Sequence, residues 1–159
     1  MLPLLAAVGL VFAVAACGGG ERDARELREY VARMRQADPL NQRVAELSLR
    51  LDQPANEITA EDLVQARELV ERYIAEMEEA SGSHIGYQEL RIVHDLYLRK
   101  LAEARDLAAD TGRDLRRERG NVAIALRHIE KLTRQHHKAL DVLWLRTDQP
   151  TALALQWPE

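Results

Sequence analysis

The amino-acid sequence predicts an all-α protein, and three observations support this fold class. Alanine, leucine, arginine and glutamate, which are strong helix formers, dominate the chain. Apolar side chains recur at helical spacing through four long segments, and no convincing alternation typical of a strand is present. Glycine or proline marks the breaks between these segments. Because short connections join the amphipathic helices, we expect an up-down antiparallel bundle of three to four long helices with coiled-coil character.

The first predicted helix runs from about Glu21 to Asp52 and contains one internal break. Asp38-Pro39 lies within it. Proline is tolerated at a first helical position with aspartate as a cap, so the pair predicts a kink or a restart of the helix. Gln53-Pro54 ends the segment, because the residue before a proline avoids the helical conformation.

The second predicted helix has the clearest start signal in the chain. Thr59 stands at the N-cap position and Asp62 at the capping-box position three residues later. Ile58 and Leu63 flank the cap with the spacing of a hydrophobic staple. Ser81-Gly82 ends this helix, since glycine is favoured in the left-handed cap.

The third and fourth predicted helices are separated by a charged stretch that allows two arrangements. The third runs from about Gly86 to Thr111, and the fourth runs from Asp114 or Asn121 to Arg146. Gly112 is a candidate cap between them. The two helices either fold back as a hairpin or fuse into one long rod.

An apolar stretch of sixteen residues without a charged side chain precedes the helices. It ends in Val14-Ala15-Ala16-Cys17 and is followed by Gly18-Gly19-Gly20. An apolar run that ends in an aliphatic residue, two small residues and a cysteine resembles the signal peptide and lipobox of bacterial lipoproteins. The resemblance implies that residues 1–16 are a removed signal peptide and that Cys17 is acylated, with chains such as palmitate. Residues 17–20 then form a tether, residues 21–146 the bundle and residues 147–159 a tail.

The resemblance also implies a location. In this class of proteins an aspartate directly after the cysteine retains the protein in the inner membrane, and this chain has Gly18 there. The resemblance therefore favours the periplasmic face of the outer membrane, with the inner membrane or the cell surface as alternatives. Lipidation explains Cys17, the only cysteine, which cannot form an intramolecular disulfide. Met1-Leu2-Pro3 departs from the family pattern because it carries no basic side chain. An uncleaved membrane anchor is the competing interpretation, but sixteen helical residues span about 24 Å, short of a hydrocarbon core of ~30 Å.

The charged side chains are segregated along the chain. Residues 57–80 carry eight acids and two arginines, whereas residues 113–138 carry eight basic residues and three acids. The two segments either offset one another in the bundle, or the basic one meets an anionic envelope protein or polymer. Nucleic acid is not expected, because the net charge is −4 and no binding motif is present. The candidate interaction residues are Arg116, Arg117, Arg119, Trp144 and Trp157.

Two histidines form the only candidate site for a metal or haem. His94 and His136 both fall on apolar stripes. In a hairpin centred near Arg116, the first lies 22 residues before the turn and the second 20 residues after it, so they would face each other. Bundle cores can hold metals and haem. However, no Glu-x-x-His pair and no Cys-x-x-Cys-His motif is present, and buried histidines that bind a neighbouring group are the alternative.

The sequence contains no pattern typical of catalysis. The serines lack a nucleophile elbow, and the three glycines after Cys17 are not followed by the Gly-Lys-Ser/Thr of a phosphate loop. We therefore expect a protein without enzymatic activity or cofactor. It would be a membrane-anchored periplasmic bundle that acts as a structural or protein-interaction module of the cell envelope. A second copy of the chain, giving a homo-oligomer, is one candidate partner. A bundle that binds a metal or haem through His94 and His136 is the alternative.

Overall fold

Five α-helices and one short 3-10 turn make up the described part of the chain. The computed structural model describes residues 20–53, 58–80, 85–110 and 114–147. In chain order the elements are α1 (Gly20–Met34), a 3-10 turn (Arg35–Ala37), α2 (Asp38–Leu51), α3 (Ala60–Ala80), α4 (Gln88–Ala109) and α5 (Leu115–Trp144).

The elements pack as four helical units, with α1 and α2 together forming the first. The end of α2 lies beside the start of α5, since Arg119 donates to the carbonyl oxygen of Leu51 at 2.6 and 2.9 Å. The same end of α2 lies beside the start of α3, where Arg50 and Asp62 form an ion pair of 2.9 Å. Neighbouring units therefore run antiparallel, and the predicted all-α bundle is confirmed.

Helices α4 and α5 fold back against one another as a hairpin, which decides between the two arrangements left open by the sequence. These two helices form the most extensive contact between any two elements of the described chain. Near the turn, the amide nitrogen of the Asn121 side chain donates to a carboxylate oxygen of Asp110 at 3.0 Å. The carboxylate of Asp114 caps α5 by accepting the backbone N–H of Arg116 at 3.1 Å, so α5 begins at Leu115.

The predicted restart of the first helix is confirmed, but the expectation that Asp38 caps it is wrong, because Ala37 is the N-cap of α2 and no side chain caps this helix. The chain passes from α1 through the 3-10 turn and restarts as α2 at Asp38. Pro39 lies in the first turn of α2, where its missing N–H leaves no hydrogen bond unmade.

The predicted capping box at the start of α3 is also present. A carboxylate oxygen of Asp62 accepts the backbone N–H of Thr59 at 2.8 Å, and Asp62 donates its own N–H to the Thr59 hydroxyl at 3.2 Å. These hydrogen bonds from Thr59 lower the pKa of Asp62. Ile58 and Leu63 are both buried, as a hydrophobic staple requires.

The sequence left open whether the acidic and basic segments offset one another, and the ion pair between α3 and α5 does not follow that arrangement. Arg67 of the acidic α3 pairs with Glu118 of the basic α5, so the expected signs are reversed at this contact. Two other cations of α5 pair with residues outside α3. Arg127 pairs with Asp52, just after the end of α2, and Arg117 lies 3.8 Å from Asp110, just after the end of α4. The basic helix is therefore partly neutralised by the chain that follows α2 and α4.

Candidate functional site

A cluster of six polar side chains crosses the otherwise apolar core. His94 and Tyr97 are three residues apart on α4, and Thr133 and His136 are three residues apart on α5, so each pair projects from one face of its helix. Each member is at least nine-tenths buried. We call this set the central polar cluster: Tyr30 of α1, Tyr73 of α3, His94 and Tyr97 of α4, and Thr133 and His136 of α5.

The hydroxyl of Tyr30 joins the two histidines. It lies 2.7 Å from Nδ1 of His94 and 2.9 Å from Nε2 of His136. A hydroxyl has one proton, so it donates to one imidazole and accepts an N–H from the other. One histidine must therefore present an unprotonated ring nitrogen to Tyr30, and the other must present an N–H. The tautomer of His94 on α4 is thereby coupled to the tautomer of His136 on α5 through the hydroxyl of Tyr30 on α1.

A second group of hydroxyls continues the cluster toward α3. The Tyr97 ring stacks on the His136 ring with centroids 4.2 Å apart and planes inclined by 10°. Its hydroxyl lies 2.7 Å from that of Tyr73 and 3.0 Å from that of Thr133. Thr133 in turn donates to the carbonyl oxygen of Ile129 at 2.9 Å, which leaves its oxygen free to accept from the tyrosines. All four helical units are thereby connected by directional contacts.

The cluster is electrically neutral at physiological pH. Burial lowers the pKa of His94, and burial with the nearby His137 and His94 lowers the pKa of His136 well below its usual value. Burial raises the pKa values of Tyr30 and Tyr97 well above their usual value. Within the described chain, Nε2 of His94 is buried and has no hydrogen-bond partner. The arrangement can orient helices, but it is closed to solvent and carries no ionised group for proton transfer.

The structure brings His94 and His136 together, as the hairpin predicts, but around a third residue. The sequence pattern placed Tyr30 on an apolar stripe and gave no sign that its hydroxyl would reach both imidazoles. Among residues 20–53, 58–80, 85–110 and 114–147, no group of three or more His, Cys, Asp or Glu side chains is arranged to hold a metal ion. Binding of a metal or haem stays a prediction, and it would compete with the hydrogen bonds of Tyr30.

The expectation that Trp144 offers an interaction surface is wrong. Only 3% of its surface is exposed, and the guanidinium of Arg28 lies 5.7 Å from the centroid of its ring. Trp144 follows the buried Leu143 on the inward side of α5, where a large aromatic side chain fills the contact with α1. Trp157 and Cys17 lie outside the described residues.

The three candidate arginines have different environments. Arg116 and Arg117 are exposed, although Arg117 is also within 3.8 Å of Asp110. Arg119 is half-buried, because its guanidinium binds the Leu51 carbonyl that the end of α2 leaves unpaired. Arg119 therefore stabilises a helix end, and Arg116 and Arg117 remain on the surface.

The bundle has two distinct ends. We call one the anchor end, after the anchor that the sequence predicts at Cys17, because α1 begins there at Gly20, three residues later in the chain. Glu26 of α1 accepts the backbone N–H groups of Gly86 and Tyr87, which places the start of α4 at this end. We call the other the far end, and it holds the end of α2, the start of α3 and the hairpin between α4 and α5 with Arg116.

In the part of the chain that the structure describes, no helix has the length and hydropathy needed to cross a bilayer. No known protein family matches the chain, and no curated protein or solved structure is significantly similar to it.

Proposed function

We propose that this chain is a lipid-anchored, non-catalytic module of the bacterial cell envelope that contacts an anionic partner through its far end. The observation that carries the proposal is the run Val14-Ala15-Ala16-Cys17 after an uncharged apolar stretch. Acylation of Cys17 would fix the module to a membrane, because each buried CH₂ contributes about 0.8 kcal/mol and two acyl chains already hold stably. The expected site is the periplasmic face of the outer membrane.

The geometry supports a defined orientation for such a module. The three residues from Cys17 to Gly20 span at most about 11 Å, so the anchor end stays close to the membrane. Helix α5 contains 30 residues and is therefore about 45 Å long, and it runs from the far end to Trp144, which lies beside Arg28 of α1. The far end can thus extend by roughly that length beyond the anchor end.

The far end presents the groups that suit an anionic partner. Arg116 and Arg117 are exposed beside Leu115, an apolar side chain that is 51% exposed. Clustered cations next to an apolar side chain favour an acidic protein surface or an anionic envelope polymer. The imidazoles and hydroxyls of the central polar cluster are engaged with one another in the core, which supports surface contact rather than catalysis.

The first test concerns the anchor. We expect Cys17→Ser to abolish incorporation of labelled fatty acid and to release the protein from the membrane fraction, because serine lacks the thiol that is acylated. Gly18→Asp is the matched control: it leaves Cys17 in place, so labelling should persist while the protein moves from the outer to the inner membrane. Undiminished labelling of Cys17→Ser would refute the anchor.

The second test concerns the far end. A photo-crosslinking residue at Arg116 should trap a partner in cells, because this position is exposed on the hairpin side of the bundle. Lys131 provides the matched control, since it is an exposed cation on the same helix, α5, but lies away from the far end. Adducts at Lys131 alone, or at neither position, would contradict the proposed role of the far end.

A further inference from the structure

The outward face of α3 carries a row of exposed side chains in which acids dominate. Successive members are three or four residues apart, so they lie on one face of the helix, opposite its buried face. Glu68 and Glu71 form no ion pair with the described part of the chain. We call this set the acidic stripe: Glu61, Val64, Glu68, Glu71, Ala75 and Glu78.

The outward face of α5 carries a row of the opposite charge with the same spacing. Glu118, Glu130 and Asp141 of this helix are each partly buried, so its fully exposed ionised side chains are bases. Lys131 and Lys138 make no ion pair within the residues that the structure describes. We call this set the basic stripe: Arg117, Ile124, Arg127, Lys131, Arg134 and Lys138.

Ion pairs within the chain leave the basic stripe accessible. Arg127 pairs with Asp52, and both side chains are about half exposed. Arg134 lies 3.7 Å from Glu130, although 68% of the arginine side chain is exposed. Exposed pairs of this kind contribute little, so these arginines can also contact an acid of another molecule.

The two stripes point in opposite directions. Helix α4 packs against both α3 and α5, and α2 packs against both as well. Because Tyr73 of α3 and Thr133 of α5 meet in the core, the outward faces of these helices lie on opposite sides of the bundle. The acidic stripe of one molecule therefore cannot neutralise the basic stripe of the same molecule.

The two stripes lie at overlapping heights along the bundle axis. Both helices begin at the far end, so they run in the same direction. Two contacts between α3 and α5 join residues that are 51 and 60 positions apart in the chain. Glu71, in the middle of the acidic stripe, is therefore level with a position between residues 122 and 131 of α5. The same residues form the middle of the basic stripe.

We propose that the protein associates with a second copy of itself, with the acidic stripe of one copy against the basic stripe of the next. Acids then face bases when the two copies stand parallel and at equal height. The parallel orientation rests on the proposed function, in which a common anchor holds both copies upright. Because the two stripes are different surfaces on opposite sides, the contact is heterologous, and each copy keeps one stripe for a further copy. It builds rows or rings of molecules on the membrane.

Apolar and small residues within the stripes allow the two helices to approach each other. Val64 of the acidic stripe and Ile124 of the basic stripe are each 48% exposed. Gly120 lies on the same face of α5 as Ile124, and a Cβ there would meet no other side chain or neighbouring helix of the described chain within 4 Å. Glycine weakens a helix interior, and no packing within the molecule requires it here. A helix of a second copy can therefore come close at this position.

The physical character of the stripes makes this contact weak and sensitive to salt. A single exposed ion pair contributes little, but charges aligned along a helix act together. The acidic stripe extends about 26 Å from Glu61 to Glu78. An anchor confines the copies to one surface and so raises their effective concentration. Salt screens exposed charges, so the association should decrease at high ionic strength.

The test is photo-crosslinking of the full chain in membranes, with the photoreactive residue at Ile124 in the basic stripe. We expect an adduct of twice the mass of the chain, in which the trapped peptide comes from α3. Two variants each reverse the charge of one stripe, and each should reduce the adduct roughly tenfold because like charges then face each other. The first is Glu68→Lys, Glu71→Lys, Glu78→Lys, and the second is Arg127→Glu, Lys131→Glu, Arg134→Glu.

Mixing the two reversed variants tests whether charge complementarity itself is restored. The reversed acidic stripe of one chain then matches the reversed basic stripe of the other, so adducts between the two different chains should regain most of the natural yield. This recovery also requires that both variants fold. The matched control makes the same change in net charge at exposed bases outside both stripes and should leave the adduct unchanged: Arg25→Glu, Arg91→Glu, Arg99→Glu.

The outcomes separate this inference from the proposed function. It is overturned by equal adduct yields for the natural chain and the reversed variants, by an adduct of a different mass at Ile124, or by a trapped peptide from outside α3. The far-end partner expected at Arg116 is not a copy of this chain, so its adduct has a different mass. An adduct of twice the chain's mass at Lys131 therefore belongs to the stripes. Acyl mass at Cys17 tests the anchor separately.

Discussion

Replacing Tyr30 with phenylalanine is expected to lower the free energy of unfolding by about 1–3 kcal/mol, although the ring that fills the core remains. The lost hydroxyl is the only hydrogen-bond partner that the structure gives to Nδ1 of His94 and Nε2 of His136. Both nitrogens would then be buried without a partner, as Nε2 of His94 already is. Tyr30→Ala adds the loss of a fully buried aromatic ring and should cost more, since aromatic-to-alanine changes typically cost 3–5 kcal/mol.

Urea unfolding of the chain from Gly18, followed by circular dichroism, measures these losses. The informative control is the triple variant Tyr30→Phe, His94→Leu, His136→Leu, which removes the polar partners together. Because apolar groups of similar size leave nothing unpaired, the triple variant should regain most of the stability lost by Tyr30→Phe. If Tyr30→Phe is as stable as the natural chain, the hydroxyl does not hold the two histidines in solution.

The bundle could be predicted from the sequence because its signals are local. Thr59 and Asp62 interact within one turn of the chain, and Pro39 acts through its own ring and missing N–H. That His94 and His136 lie at the same position along the bundle axis followed from counting residues on either side of the hairpin. Each of these inferences needed only helical geometry and the spacing of residues along one or two adjacent helices.

The remaining features depend on contacts between distant segments, which no local pattern encodes. Tyr30 reaches His136 across 106 residues of chain, and Arg119 reaches Leu51 across 68. Trp144 is buried because Arg28 and α1 cover it. From the sequence, a tyrosine on an apolar stripe is predicted to be part of the core. Only the packing of α1 against the hairpin shows which groups its hydroxyl contacts.

The central polar cluster also makes stability depend on pH, and this is the second large effect we expect. Burial lowers the pKa of His94 and His136, and it lowers that of His137 to about 4. An unfolded chain protonates its histidines near pH 6.5, so between that pH and the folded pKa values the unfolded state binds more protons. Stability is therefore complete above about pH 6.5 and falls as the pH decreases below it.

The expected slope is steep because several imidazoles contribute. Each histidine that is neutral when folded and protonated when unfolded removes about 1.4 kcal/mol per pH unit. Asp62 acts in a different window: hydrogen bonds from Thr59 lower its pKa from 3.8, so its stabilising effect is lost only under more acidic conditions. Urea midpoints at pH 7.5, 6.5, 5.5 and about 4.5 thus report mainly on the histidines, whose unfolded pKa is about 6.5.

Variants of the same chain assign this acid sensitivity to the cluster. The triple variant without Tyr30, His94 and His136 as polar partners should lose the contributions of His94 and His136, keep that of His137, and therefore show a shallower slope. His128→Asn is the matched control, because His128 lies on α5 but is not a member of the cluster. It should leave the slope of the natural chain almost unchanged. Equal slopes for the natural chain and the triple variant would mean that His94 and His136 gain protons in the folded bundle as readily as in the unfolded chain.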